Sequence, residues 1–272
     1  MINFEKSCGL TVLILLGVFG CQDQEVGINI QHLRPFDLET CLPSDDEEVF
    51  VVSGIVDLAL RDNYVVNPSI RNNLFNVSNL KGLGSQDGRI STNTIVLEQA
   101  EITYAPLDNI VGNIPKTRTV PLSGTIPEGA TSVLSYFPLI ETEVMEALRS
   151  SDTFFLIDDR GDARPRRTSI TILTTFRVIG STLDGRSVSS EEFVFPVEVC
   201  NGCMVQYPAG LLEERNGGLF CPAQPPMTVE ETTEEICGQL IGVDGVSVNC
   251  IACQGMAVNS FARQLCQPAS VP

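Results

Sequence analysis

Tryptophan is absent from the 272 residues, histidine occurs once, and aromatic residues make up only 6% of the chain. Without Trp there is no indole platform for a sugar ring, and aliphatic side chains must fill any core. The single imidazole, His32, lies in a polar stretch near the N-terminus. A Ser-His-Asp or Cys-His mechanism would depend on that one residue, outside the expected scaffold, so nucleophilic hydrolysis by that route is set aside. Basic residues are scarce as well. Lys and Arg number 17 against 34 Asp and Glu, for a net charge of -17 with no long basic stripe. Such a surface repels phosphate backbones, which excludes nucleic acid as a partner class. No Gly-rich loop runs into a helix, so a nucleotide has no phosphate cradle. No apolar run reaches the ~20 residues that cross a bilayer comfortably.

The apolar run that is present extends from Gly9 to Gly20, after Lys6, and ends at Cys21. Its length suits the hydrophobic region of an export signal over residues 1–20. Val18-Phe19-Gly20-Cys21 resembles the lipobox of bacterial lipoproteins, with Phe19 where a small residue is more usual. That resemblance implies cleavage before Cys21, a lipid on its thiol, and the membrane as partner through that lipid. Gln22 in the next position fits sorting to the outer membrane. An ordinary secretory signal cut elsewhere, or a short uncut anchor, is the competing reading.

Ten cysteines are many for an intracellular protein of this size. With Cys8 in the signal and Cys21 lipidated, an even set remains: Cys41, Cys200, Cys203, Cys221, Cys237, Cys250, Cys253 and Cys266. Even parity predicts disulfides throughout, in an oxidising compartment. Cys41 stands alone upstream of residue 200 in the mature chain, and is expected to reach the C-terminal module. Cys200-Asn201-Gly202-Cys203 and Cys250-Ile251-Ala252-Cys253 form two C-x-x-C pairs, a donor set that suits tetrahedral zinc. The 46 residues between them exceed zinc-ribbon spacing, so structural disulfides are expected, with no metal and no cofactor. A redox C-x-x-C needs its first cysteine at a helix N-terminus. Here Met204 to Pro208 leads into Pro and Gly instead.

Residues 21–48 are polar and acidic, ending in Asp45-Asp46-Glu47-Glu48. They read as a tether, with an extended reach of up to ~90 Å. Strand patterns begin at residue 49. Over residues 49–60 an even face of Phe50, Val52, Val56, Leu58 and Leu60 is expected to be buried. Residues 64–67 extend to a stop at Pro68, and residues 70–77 suit another short strand. Residues 94–104 read as a long strand whose alternation slips at Glu98 and Gln99, as a bulge would make it. Short extended pieces follow at residues 117–122 and 132–137. Residues 141–149 form one helix, capped by Thr142, with Val144, Ala147 and Leu148 on one face. Residues 153–157 are a further short strand. Residues 168–179 give the cleanest alternation, with Ile170, Ile172, Thr174, Phe176 and Val178 on one side. After Asp184-Gly185, residues 191–199 alternate again, and Pro196 argues for an edge or a bulge. The expected architecture is all-β: an antiparallel immunoglobulin-like β-sandwich over residues 49–199 with one short helix. A disulfide-rich C-terminal module follows over residues 200–272, where cross-links replace burial.

Ser53 to Leu60, Tyr64 to Leu74 with Pro68 and Arg71-Asn72-Asn73, and Phe193 to Cys203 together resemble uncharacterised bacterial surface lipoproteins. The resemblance covers most of the mature chain and implies no activity. The candidate ligand loop is the turn at Asp158, Asp159, Arg160 and Asp162. Its Arg-Gly-Asp triplet and its three carboxylates are both better explained by turn chemistry than by integrin or calcium binding. The expected function is therefore that of a membrane-anchored extracytoplasmic lipoprotein, a non-catalytic binding or structural envelope module with a protein or glycan ligand. Two alternatives stand beside it: a carbohydrate-active hydrolase with paired carboxylates, and a zinc-stabilised C-x-x-C module.

Overall fold

Strict alternation makes residues 169–182 the spine of the molecule. In the computed structural model, which describes residues 27–74, 92–106, 114–157, 163–215, 218–222 and 240–268, they form β11 (Ser169–Thr182), buried at every second position from Ile170 to Thr182. β11 pairs antiparallel with β4 (Ile95–Pro106) on one side and β13 (Phe193–Cys200) on the other. β5 (Thr117–Pro121) and β6 (Thr125–Ile126) extend the sheet beyond β4, and β12 (Ser187–Ser189) adds to β11. β2 (Gly54–Asp57) joins β13, as the one parallel pair of this sheet among the described residues.

The facing sheet is built on β3 (Tyr64–Asn72). It pairs antiparallel with β1 (Ile28–Arg34), β7 (Thr131–Val133) and β8 (Phe137–Ile140). Ile30, Leu33, Val66 and Ile70 from this side meet Leu97, Ile102, Ile172 and Val197 from the other in one apolar core. Phe137 reaches across to Phe176, ring centroids 5.3 Å apart. Each such side chain, fully buried, contributes about 1.5–3 kcal/mol. The fold is thus an antiparallel, immunoglobulin-like β-sandwich. Its helix, α1 (Thr142–Arg149), buries Val144, Met145 and Leu148 against the core.

The slip at Glu98 is a bulge. Pairing between β11 and β4 passes from Ile179↔Gln99 to Gly180↔Leu97, so Glu98 is the extra residue, exposed, while Leu97 and Ala100 both stay inward. Opposite it only Gly180 fits, since a Cβ there would lie 2.4 Å from the Val96 carbonyl oxygen.

Four expectations are corrected. Residues 28–34, read as tether, form β1; Ile28, Ile30 and Leu33 bury enough surface to hold a strand within a polar segment. Phe50 and Val52 are 57% and 69% exposed rather than buried, because residues 49–53 cross the edge between the sheets and pair only at Val51↔Leu33. Pro68 does not stop β3. It falls between the residues paired with β8 and those paired with β7, where no N–H is needed on that side, and its carbonyl accepts from Leu134 N–H at 3.0 Å. The cap of α1 is Glu141, which makes no side-chain cap bond, and Thr142 is the first helical residue.

The C-terminal module has a small core of its own, with Met204, Val205, Ile241, Val248 and Leu265 packed on Ala59 and Leu60 after β2. β14 (Val205–Gln206) pairs with β17 (Val248–Asn249), and β15 (Glu213–Arg215) with β16 (Gly218–Phe220). A second helix, α2 (Cys250–Met256), is capped by Asn249, whose side chain accepts from Ala252 N–H at 2.8 Å. Disulfides join Cys200 to Cys203, Cys221 to Cys250 and Cys253 to Cys266. Cys41 is also disulfide-bonded. Cys237 lies outside the described residues.

Candidate functional site

The junction between sandwich and module is built from the end of β13. There Asp57, the last residue of β2, is fully buried beside the Cys200–Cys203 disulfide. Its Oδ1 accepts from the N–H groups of Ala59 at 2.9 Å and Gly202 at 2.7 Å, and its Oδ2 from Met204 N–H at 2.8 Å. Burial pushes the carboxyl pKa up; these N–H groups and the Arg167 charge pull it down without cancelling that effect. Carboxylate and both sulfurs lie within 4.8 Å of one another, the one cluster of metal-ligand type among the described residues. All of these atoms are already engaged, two in a disulfide and the carboxylate with backbone donors. The other C-x-x-C pair bonds elsewhere, Cys250 to Cys221 and Cys253 to Cys266, so the two motifs do not share one tetrahedral site. The geometry is that of a fastener: a buried carboxyl group threading the C-x-x-C turn onto the end of β2.

Asn201, between those cysteines, faces a cleft. Its Nδ2 donates to the carbonyl oxygens of Arg166 at 3.1 Å and Phe154 at 3.4 Å. The cleft measures about 510 Å³ and lies between α1, the hairpin of β9 (Phe155–Ile157) and β10 (Ala163–Pro165), and residues 258–265. Leu58, Phe154 and Leu265 form an apolar floor. Phe155 and Phe261 stack across it at 4.8 Å between centroids, bridging sandwich and module.

The rim is polar. Arg149, in the last turn of α1, is held by Leu58 O at 2.9 Å, by Arg61 O, and by the Asp62 carboxylate at 2.7 Å. Its charge is thereby spent on the protein. Glu146, one turn earlier, lines the cleft and is exposed. The open rim is therefore acidic over an apolar floor. A cavity of this size and lining fits a small amphipathic molecule.

The candidate loop at Asp158, Asp159, Arg160 and Asp162 lies outside the described residues, as does Cys21. The strands that flank the loop, β9 and β10, supply Phe155 and Pro165 to the cleft wall. His32 sits in β1 with its ring 6.2 Å from Phe50, and burial lowers its pKa. Sequence reasoning missed the cleft, whose parts come from residues 58, 149, 155, 201 and 261, far apart in the chain. The one local signal was Asn201-Gly202 between two cysteines after a strand.

No family model and no curated protein sequence matches the chain. Among solved structures, the solution structure of a late embryogenesis abundant protein is similar, at a TM-score of 0.31 and 9% identity. It covers 64% of this chain and 69% of its own. A likeness at that level carries no argument.

Proposed function

We propose that this chain is an extracytoplasmic lipoprotein, lipidated at Cys21 and held to the outer membrane of a bacterium, that works as a non-catalytic binding module. The cleft carries the reading: an apolar floor with a stacked Phe pair, under a rim whose free charge among the described residues is Glu146. Together with the net charge of -17 this favours a ligand with an apolar body and a basic head. Disulfides at both C-x-x-C motifs support an oxidising compartment.

Titration calorimetry of the full chain with arylalkyl amines and with their neutral and anionic counterparts tests this. Saturable binding of the amines is expected, abolished by Phe261→Ala and weakened about tenfold by Glu146→Gln, which converts to ~1.4 kcal/mol. Equal affinity for the anionic series would remove the proposal. The paired-carboxylate hydrolase has one observation in its favour, since Asp62 and Glu146 line the same cleft. Asp62 is held by Arg149, however, and Glu146 faces solvent, so binding is the better use of the pair.

A further inference from the structure

At the opposite end of β13 from the cleft, apolar side chains face outward together. Val49, Phe50 and Val52 are 45%, 57% and 69% exposed, and Val194 beside them is 55% exposed. Val51 alone of its segment turns inward, its N–H donating to Leu33 O at 3.0 Å. Phe50, Val52 and Val194 line a shallow groove of about 400 Å³ with Gln31 and His32 of β1. Among the described residues, β13 has no strand on its outer side from Phe193 to Pro196, because β2 begins to pair only at Gly54↔Val197. Clustered exposed apolar residues rimmed by charge mark a contact surface.

The start of the chain says what that contact is. β1 begins at Ile28, which bridges Ser190, just before β13, and then runs past the groove through Gln31 and His32. Cys21 precedes Ile28 by seven positions. Even fully extended, that length of chain reaches only ~23 Å. A lipid on Cys21 therefore brings this end of the sandwich to the bilayer surface, where the long tether read from sequence would have let it swing free.

We propose that the edge formed by Phe50, Val52 and Val194 rests in the membrane interface, a second and non-covalent contact beside the lipid. The inference rests on the lipoprotein reading above. It also orients the molecule. Residues 193 and 200 of β13 are ~23 Å apart at strand spacing, so the cleft and the cross-linked core around Cys221 and Leu265, next to Cys200, point away from the bilayer, whereas residues 240–246 of the module reach back to Val51. Exposed Asp45, Asp46, Glu47, Glu48, Glu191 and Glu192 flank the edge. They are repelled by anionic headgroups, which makes a zwitterionic surface the preferred one.

The absence of Trp supplies the test. Phe50→Trp and Leu219→Trp each introduce a single indole, the second in the C-terminal module. Each full-length variant is reconstituted in phosphatidylcholine vesicles brominated near the glycerol end of one acyl chain. The Phe50→Trp emission is expected to fall by about half relative to unbrominated vesicles, and the Leu219→Trp emission to stay unchanged. Added phosphatidylglycerol should weaken the quenching. Lipidated protein, shown by intact mass, whose Phe50→Trp emission ignores bromine overturns the proposal while leaving the lipoprotein reading intact. Protein without lipid mass that stays in the supernatant overturns both. An unquenched indole in a chain that sediments as a dimer assigns the edge to a second copy, and also overturns it.

Discussion

The Tyr64 hydroxyl donates to the Asp244 carboxylate, 3.0 and 3.1 Å from its two oxygens, across 180 residues of sequence. Asp244 also accepts from Ile55 N–H at 3.0 Å, so one carboxylate of the C-terminal module binds both β2 and β3. Burial raises the pKa of both groups, Tyr64 well above its ordinary 10.0. Tyr64→Phe removes the buried donor and leaves the acceptor short of a partner. The expected cost is about 1–3 kcal/mol in urea unfolding, with the sandwich signal affected along with that of the module.

Gly54 is what lets Tyr64 reach. A Cβ at Gly54 would lie 1.9 Å from the Tyr64 oxygen, and Tyr64 is itself fully buried and unable to swing aside. Gly54→Ala should therefore destabilise by about 1–3 kcal/mol as an overpacked site. In a double mutant with Tyr64→Phe only part of that cost should disappear, since the hydroxyl is the nearest clash but the ring Cζ, 2.5 Å from the added Cβ, remains. Strict additivity of the two in a thermodynamic cycle would show that the oxygen is not what Gly54 makes room for.

How far the sequence could be read follows from where each residue's partners lie. β11 was legible because Ile170, Ile172, Phe176 and Val178 report burial by alternation alone. The bulge at Glu98 was legible as a break in the same signal. Phe50 and Val52 carry an equal pattern and are exposed, because alternation cannot say whether a neighbouring strand exists to cover them. β1 failed the other way: Gln31, His32 and Arg34 made the segment look solvated, while its partners on β3 lie some forty residues on. The cleft was least legible. Phe155 and Phe261 are ordinary apolar residues in sequence, and only the docking of the C-terminal module stacks them.

Asp57 gives the fold a pH signature. Its folded-state pKa is raised above the ordinary 3.8, so the folded chain holds this proton more tightly than the unfolded chain does. Its contribution to stability is therefore largest at low pH. It declines as pH rises from about 3.8 through the raised value, then levels off. Asp57→Asn removes that titration and turns an amide donor toward either the Gly202 and Ala59 or the Met204 N–H groups. The variant should be less stable by about 1–3 kcal/mol, with a gap to wild type that narrows as pH rises across this window. Urea midpoints taken between pH 3 and 8 check both the size and the direction. A gap that widens with pH would mean that the N–H donors, not burial, set the carboxyl pKa.

The three disulfides that join described cysteines should open in a definite order. Sequence separations of 29 for Cys221–Cys250, 13 for Cys253–Cys266 and 3 for Cys200–Cys203 give chain-entropy contributions of about 4, 3 and 2 kcal/mol respectively. Access points the same way. Cys221, Cys250, Cys253 and Cys266 are fully buried, whereas Cys203 is exposed and offers a sulfur to an attacking thiolate. Under graded reduction, Cys200–Cys203 should be the first of these three to be alkylated, with the module still folded by near-ultraviolet circular dichroism and its melting temperature lower by a few degrees. Cys221–Cys250 and Cys253–Cys266 should resist until the module unfolds, and then open together, because Cys250 and Cys253 share α2 and release of one end exposes the other. Peptide mapping of alkylated cysteines at each reductant concentration reads the order directly. If Cys221–Cys250 opened before Cys200–Cys203, the small core around Leu265 would not be the barrier to reduction, and the cross-links alone would be holding the module in shape.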